Sequence, residues 1–496
     1  MPARAHVLAI DQGTTNTKVV LLDEAGAVVA QAQRQVSVSH PRPGWAEQDA
    51  DALWASVRDA TVDCLRKVGG SAPQAIGISN QRESVVVWDR RSGQPVAPCI
   101  LWQCARTADR LDVLRGQGHA GTVARRTGLT LDPMFPAAKI AWLLDETPGA
   151  REAARAGHLA AGTVDSWLLW KLTQGRVHAC DTSNASRTQL FDIGTCRWDA
   201  GLCDLFGVPR SILPEVRPSD ALFGHADAIP ELRSVPVHAM LGDSHAALFG
   251  HGIRSPGAAK VTYGTGSSLM TLTDGARASR HGLSTTIGWN RNGAVAYALE
   301  GNIIVSGQAL AFVAQLLGLP GPAEVGTLAT TVADSGGVVF VPALAGLGAP
   351  WWDASARGLF CGLSHATKPA HLARAAMEAV TLQIADVFRA MEADLGTAID
   401  VLSVDGGASS NNALMQLQAD VLGRPVRRAP QAEQSACGAG LMAGFAAGVF
   451  DEDVARRACE KDRRVFLPTT DDHWRGALVK AWADAVARAT MSAPGP

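Results

Sequence analysis

The chain has 496 residues, of which 47% are hydrophobic and 19% charged, and Lys plus Arg (45) nearly balances Asp plus Glu (47) for a net charge of −2. That composition excludes a disordered chain, and at about 150 residues per domain it predicts roughly three domains or two large ones. The basic residues are scattered, so no nucleic-acid-binding face is expected and any anionic ligand must be held locally.

Nine cysteines, an odd number with no CxxC pair and no His/Cys cluster, argue for reduced thiols and against a zinc site. The N-terminus carries only a five-residue apolar run before Asp11, and the longest stretch of small apolar residues, GAGLMAGFAAGVF, is too short to span a bilayer. The expectation is a cytoplasmic protein without a membrane partner.

In chain order, HVLAI (6–10) and KVVLLD (18–23) read as strands joined by DQGTTNT, and VVAQAQ continues the meander after the turn EAGA. DADALWASVRDATVDCLRKV (49–68) has helical spacing behind an acidic start, and AIGISNQ and VVVWD follow as strands separated by NQRES. In the second half AAKVTYGTGSSLMTLTDG (258–275) is again strand, Gly-rich turn, strand. The stretch from Pro369 to Leu395 is helical, and VLSVDGGASSNNALMQLQADVLG gives a buried strand, a Gly turn and a helix. Two halves that each open on a hairpin predict a duplicated architecture, divided near Gly252 into 1–252 and 253–496, with a cleft between closely apposed domains.

Three segments carry chemistry. DQGTTNTK (11–18) offers a carboxylate at a strand end, a Gly that lets backbone N–H groups approach an anion, two hydroxyls and a cation, the parts of a phosphate-gripping turn with a Mg²⁺-directed acid. It lacks the GxxxxGK[ST] pattern, and alone it also suits an ordinary polar turn. LGDSHAALFGHG (241–252) followed by VTYGTGSS (261–268) places a second Asp before a second such hairpin, so each half would offer one phosphate turn to a shared cleft. VDGGASSNN (404–412) ends a buried strand in a Gly pair that lets a nucleotide lie against the backbone; a Gly turn capped by Ser409 or Ser410 is the equal alternative.

That order of turns is the arrangement of the actin-like ATPase fold. The chain resembles the FGGY carbohydrate kinases, and within them the glycerol kinases most closely, from AIDQGTT through PGWAEQD, GISNQRES, LWQCARTA, YGTG, ALEG, GLGAPWWD and VDGGASSNN to the closing Gly-rich helix. MFPAAKIAWLLDE (134–146) and GLFCGLSHATKPAHLARAAME (358–378) fit the two family signatures.

The resemblance implies an α/β fold of two actin-like (ribonuclease H-like) ATPase domains flanking an interdomain cleft, and an ATP- and Mg²⁺-dependent kinase acting on a primary hydroxyl. It assigns Asp243 as the catalytic base, and Asp11 together with Asp243 to the metal. Thr14, Thr15, Asn16, Lys18, Thr265 and Gly266 fall at phosphate positions, and Gly406, Gly407 and Asn411 at adenosine positions. Lys18 replaces a frequent Arg, keeping the charge but losing two-pronged bonding, so a solvated strand charge is an equal reading.

Arg82, Glu83 and Trp102 match polyol-binding residues. Met134, Ser244 and Ser268 stand where the glycerol kinases have Tyr, Gln and Phe, which predicts a larger, more polar pocket for a four- or five-carbon polyol or ketose, with glycerol itself kept in play. HADAIPELRSVPVH (225–238) lacks the Gly-rich, Arg-bearing loop that resembles a fructose bisphosphate site, so inhibition by that effector is not expected. Relatives are often dimers or tetramers, and a homo-oligomer fits the resemblance.

Overall fold

A computed structural model describes residues 6–430 and 433–491. Two large mixed sheets organise it. The first has six strands in the order Gly224–His225, Pro236–Gly242, Ala75–Asn80, Val7–Gln12, Asn16–Leu22 and Val28–Gln35; the second has seven, in the order Ser284–Arg291, Ala294–Ile303, Ser267–Thr273, Ala258–Tyr263, Val401–Asp405, Val426–Arg428 and Arg464–Phe466. In each, an antiparallel hairpin leads and a strand from later in the chain pairs in parallel with the first strand: Ala75–Asn80 beside Val7–Gln12, and Val401–Asp405 beside Ala258–Tyr263. The duplicated architecture expected from the two hairpins is therefore present as two sheets of like topology.

The first hairpin carries unbroken apolar runs, Val7–Ile10 and Val19–Leu22, because both faces of the sheet are covered there. Leu8, Ile10, Val19 and Leu21 enter the core of the first domain with Leu53 and Val57 of the helix Ala50–Arg66. Val7, Ala9, Val20 and Leu22 face the other way, into a cluster shared by both halves with Phe249, Met270, Leu272, Trp289, Ala436 and Leu441. The helix Ala50–Arg66 starts where Asp49 accepts the N–H groups of Asp51 at 2.8 Å and Ala52 at 3.2 Å. The helix Pro369–Leu395 covers the second sheet and ends at Gly396 in the left-handed region.

VVVWD does form a strand, Val85–Asp89, but it leaves the main sheet and joins a separate four-stranded one with Glu47–Gln48, Cys99–Ile100 and Leu159–Thr163. The backbone turns at Glu83, whose φ of 60° redirects the chain between the two sheets. GAGLMAGFA lies in the helix Gln434–Ala446, and among the described residues no helix is long and apolar enough to cross a membrane.

Candidate active site

Both acids expected at strand ends are there. Asp11 lies in the last two residues of its strand, opposite Lys18 and beside Ser79, whose hydroxyl donates to its Oδ1 at 2.8 Å. Burial pushes the Asp11 carboxyl up to about 7; the Ser79 hydrogen bond opposes that shift, and the nearby Asp243 carboxylate reinforces it. Asp243 is the first residue of the helix Asp243–Gly250, with Gly242 in the N-cap position, so Asp243 is not itself the cap. Its Oδ1 accepts Arg82 Nε at 2.9 Å and the Ser244 N–H at 2.6 Å. Two carboxylates near enough for the Asp243 charge to raise Asp11 fit a hard divalent cation, and a pair of acids with water and phosphate is the ordinary protein share of a Mg²⁺ site.

The turn after Asp11 is braced from several sides. Gly13 N–H donates to Asn16 O at 3.0 Å, Gln48 Nε2 to Thr14 O at 2.7 Å, and the Trp102 indole N–H to Thr14 Oγ1 at 3.0 Å. Asn16 Nδ2 donates to Thr15 Oγ1 at 3.2 Å, while the Thr15 side of the turn remains exposed. Lys18 lies outside the turn, with its ammonium 2.6 Å from Glu433 Oε2, ahead of the helix Gln434–Ala446. Sequence reasoning balanced a phosphate contact against a solvated charge, and the structure gives Lys18 a specific partner instead.

The second hairpin turn packs on the start of the helix Gly307–Leu316. Ser306 and Gln308 N–H groups donate to Thr265 O at 3.0 and 3.1 Å, and a Cβ on Gly266 would lie 2.4 Å from Ile303 O. Gly406, with φ of 86°, presses on Tyr263, whose O would be 2.4 Å from a Cβ there; Gly407 opens onto free space. Between these turns lies a cavity of about 890 Å³, lined by Thr265, Gln308, Gly326, Gly407 and Asn411 among others. Ser409 and Ser410 donate their hydroxyls back to Gly406 O and Gly407 O at 2.7 and 2.8 Å, which tightens the turn. Asn411 also caps the following helix, Oδ1 accepting the Leu414 N–H at 3.1 Å.

The remaining predicted residues form a buried ionic cluster. Arg82 Nη1 lies 2.6 Å from Glu300 Oε1 and its Nε 4.0 Å from Glu83 Oε2; Arg187 Nε donates to Glu83 Oε1 at 2.6 Å and its Nη1 lies 2.8 Å from Glu300 Oε2. Ser268 Oγ donates to Glu300 Oε1 at 2.9 Å. Arg82 and Glu83 are thus a buried pair.

Burial would raise the Glu300 carboxyl, but Arg187 and Arg82 outweigh it and hold the group well below the usual carboxylate range. Met134 is tied to the same cluster through Lys139, whose ammonium donates to Met134 O at 2.5 Å and Glu83 O at 3.1 Å. Burial pulls that Lys139 ammonium down to about 7. Ser244 is buried on the first turn of its helix, beside the cluster in sequence through Asp243.

Glu300 and Arg187 were missed as site residues. The only signal was Glu300's place in ALEG and Arg187's in DTSNASRT, with no spacing rule to mark either.

Two domains with matching hairpins, two acids at strand ends of the first sheet and a cavity between the Gly turns of the second define a phosphoryl-transfer enzyme of the actin-like class. The comparisons with known proteins agree. Residues 6–250 match the model of the N-terminal domain of the FGGY family of carbohydrate kinases and residues 259–447 that of its C-terminal domain, and the chain belongs to that family.

It is 46% identical over 488 residues to an apulose kinase from Pectobacterium atrosepticum, and 44% identical over 493 residues to a glycerol kinase from Carboxydothermus hydrogenoformans, covering 98% of each chain in both cases. Among solved structures it superimposes on Plasmodium falciparum glycerol kinase with ADP at a TM-score of 0.92 and 30% identity, over 99% of both chains. The protein is an ATP-dependent polyol or sugar kinase.

Proposed function

We propose that this kinase phosphorylates a primary hydroxyl of a four- or five-carbon polyol or ketose. The observation that carries the reading is the wall of the acceptor cluster. Ser268 Oγ is spent on Glu300, and Met134 is joined to the same cluster through Lys139, so two positions that are aromatic in the glycerol kinases carry a small hydroxyl and a flexible thioether while the ionic grip is kept. The relative named apulose kinase supports a ketose, whereas the relatives named glycerol kinase support glycerol as the second reading.

In this reading Arg82 and Glu83 bind neighbouring hydroxyls of the acceptor, one as donor and one as acceptor. Asp243 Oδ1 is occupied by Arg82 and by the Ser244 N–H, which leaves Oδ2 to take the proton from the attacking hydroxyl. Trp102 and Thr14 fix one another at the edge of that site, and Thr14, Thr15, Asn16, Thr265 and Gly266 line the path of the phosphates. Gly407 and Asn411 face the cavity assigned to adenosine, with Gly406 shaping its floor against Tyr263. Asp11 and Asp243 would hold Mg²⁺, which supplies charge neutralisation at the phosphates when bound. Lys18, paired with Glu433, keeps its charge near Asp11 and tempers the carboxyl there. The proposal takes the enzyme as cytoplasmic and divides the domains at Gly252, a residue that the two matched segments flank.

The test is ATP-dependent phosphorylation, with Mg²⁺, of glycerol, erythritol, threitol, erythrulose, xylulose, ribulose, ribitol and apulose. A kcat/KM that favours a longer acceptor over glycerol supports the reading. A clear preference for glycerol replaces it with an ordinary glycerol kinase that tolerates Met134, Ser244 and Ser268.

A further inference from the structure

Glu300 belongs to the second sheet, on the strand Ala294–Ile303, yet both of its strong partners belong to the first domain. Its carboxylate is fully buried between the guanidinium groups of Arg82 and Arg187, 2.6 and 2.8 Å away, and Arg187 is fully buried as well. Each arginine reaches on to a different acceptor-binding acid: Arg82 to Asp243 at 2.9 Å and Arg187 to Glu83 at 2.6 Å. The contacts form one chain, Asp243 to Arg82 to Glu300 to Arg187 to Glu83, with the single link from the C-terminal domain at its centre.

That placement fixes two orientations at once. A guanidinium is planar, so with Nε committed to Asp243 and Nη1 to Glu300 the plane of Arg82 is set by two residues from different domains. Glu83, already in the left-handed region and held through its carbonyl by Lys139, has its carboxylate aimed by Arg187, which leans in turn on Glu300. Nothing in this arrangement touches the nucleotide cavity, whose lining comes from other segments.

We infer that Glu300 is a positioning residue for the acceptor: it holds Arg82 and, through Arg187, Glu83 in their binding orientation, and so makes a complete acceptor site conditional on the seating of the C-terminal sheet against the first domain. The inference rests on Arg82, Glu83 and Asp243 forming the acceptor site, as proposed above. Ser268 takes part by directing Glu300 Oε1, which ties the identity of that wall residue to the alignment of the cluster.

The experiment is steady-state kinetics of the full-length enzyme with its best acceptor from the panel, for Glu300→Gln, Glu300→Asp and Arg82→Lys, with a nucleotide-induced melting shift as the check on folding. For Glu300→Gln the acceptor KM should rise at least about tenfold while the ATP KM stays within about twofold, and Glu300→Asp, which restores the charge, should fall between it and wild type. If Glu300→Gln does not fold, Glu300→Asp decides on the same split, because it keeps the charge and changes only the reach.

An unchanged acceptor KM, or acceptor and ATP KM rising together, overturns the inference. Arg82→Lys separates the two levels. If it too leaves the acceptor KM unchanged, the assignment of the acceptor site fails; if it raises the acceptor KM while the Glu300 variants do not, only the role of Glu300 fails.

Discussion

The joint between the domains makes the sharpest stability prediction. Two helices, Asp243–Gly250 and Gln434–Ala446, meet backbone to backbone, and a Cβ built on Gly438 would lie 1.8 Å from Ala246 O and 2.9 Å from Gly250 N. The obstructing atoms are main chain on a helix that cannot rotate aside, so Gly438→Ala must push the helices apart by well over an ångström. Overpacking of this kind costs about 1–3 kcal/mol, and rigid backbone on the receiving side places it at about 3 kcal/mol. For a domain of this size that corresponds to a fall in Tm of roughly 6–12 °C.

The displaced helix begins at Asp243, so kcat should fall as well, since a misplacement of about 1 Å at a reacting group can cost about a hundredfold. Gly476→Ala is the control: it lies in the helix Asp472–Thr490 and a Cβ there meets nothing within 4 Å, so helix propensity alone acts and stability should hold or rise slightly. Differential scanning calorimetry of both variants checks the pair. A Gly438→Ala protein that melts with wild type would refute the reasoning.

Three further outcomes are expected. Asp243→Asn removes the proton acceptor and should lower kcat by about 10²–10⁴-fold while nucleotide binding, read by calorimetry, survives. Ser268→Phe removes the hydrogen bond to Glu300 and fills the wall, so the ratio of kcat/KM for glycerol over a five-carbon acceptor should rise by about tenfold or more; a ratio that does not move would separate that wall from specificity. Asp165→Asn tests a buried acid whose carboxyl is pushed up to about 7 by burial and by Asp181, and whose Oδ2 has no hydrogen-bond partner. Because its folded value lies above the unfolded 3.8, the folded chain binds more protons between those values and loses stability as pH rises through that window. The variant should therefore melt closest to wild type near pH 4 and progressively above it toward pH 8, and a difference in Tm independent of pH would count against the assignment.

Much of the fold could be read from the sequence because its signals are local. Val7–Gln12 and Asn16–Leu22 announce themselves through β-branched runs around a Gly-Thr turn, Pro369–Leu395 through its helical spacing and the Gly396 stop. What local pattern could not tell is which sheet a strand joins. Val85–Asp89 reads as a strand following Ala75–Asn80, but the turn between them, where Glu83 has a positive φ, carries it into another sheet. The pairing of Lys18 with Glu433 has the same cause: its partner is more than 400 residues away, so the sequence left only a phosphate contact or a solvated strand charge to choose between.

The site divides along the same line. Asp11 and Asp243 were legible because each stands at the end of a buried strand inside a motif that resembles the family's, Asp11 before a Gly-Thr turn and Asp243 at the start of a helix. Glu300 was not, although it interrupts the apolar strand AVAYALEGNI where a carboxylate should be costly. An isolated buried charge of that kind is tolerable only with opposite charges supplied from elsewhere, and here they come from Arg82 and Arg187, more than 100 residues upstream and in the other domain. The sequence displays the cost, an unpaired acid in a hydrophobic strand, but not the arginines that offset it. Glu300, a charged residue at an inward position of a buried strand, is accordingly a pointer to an interdomain contact in this chain. The fully buried Lys260, in the strand Ala258–Tyr263, is satisfied within its own domain instead: its ammonium reaches Thr262 Oγ1 and Ser268 O, and burial draws it down to about 8 against the pull of Asp405.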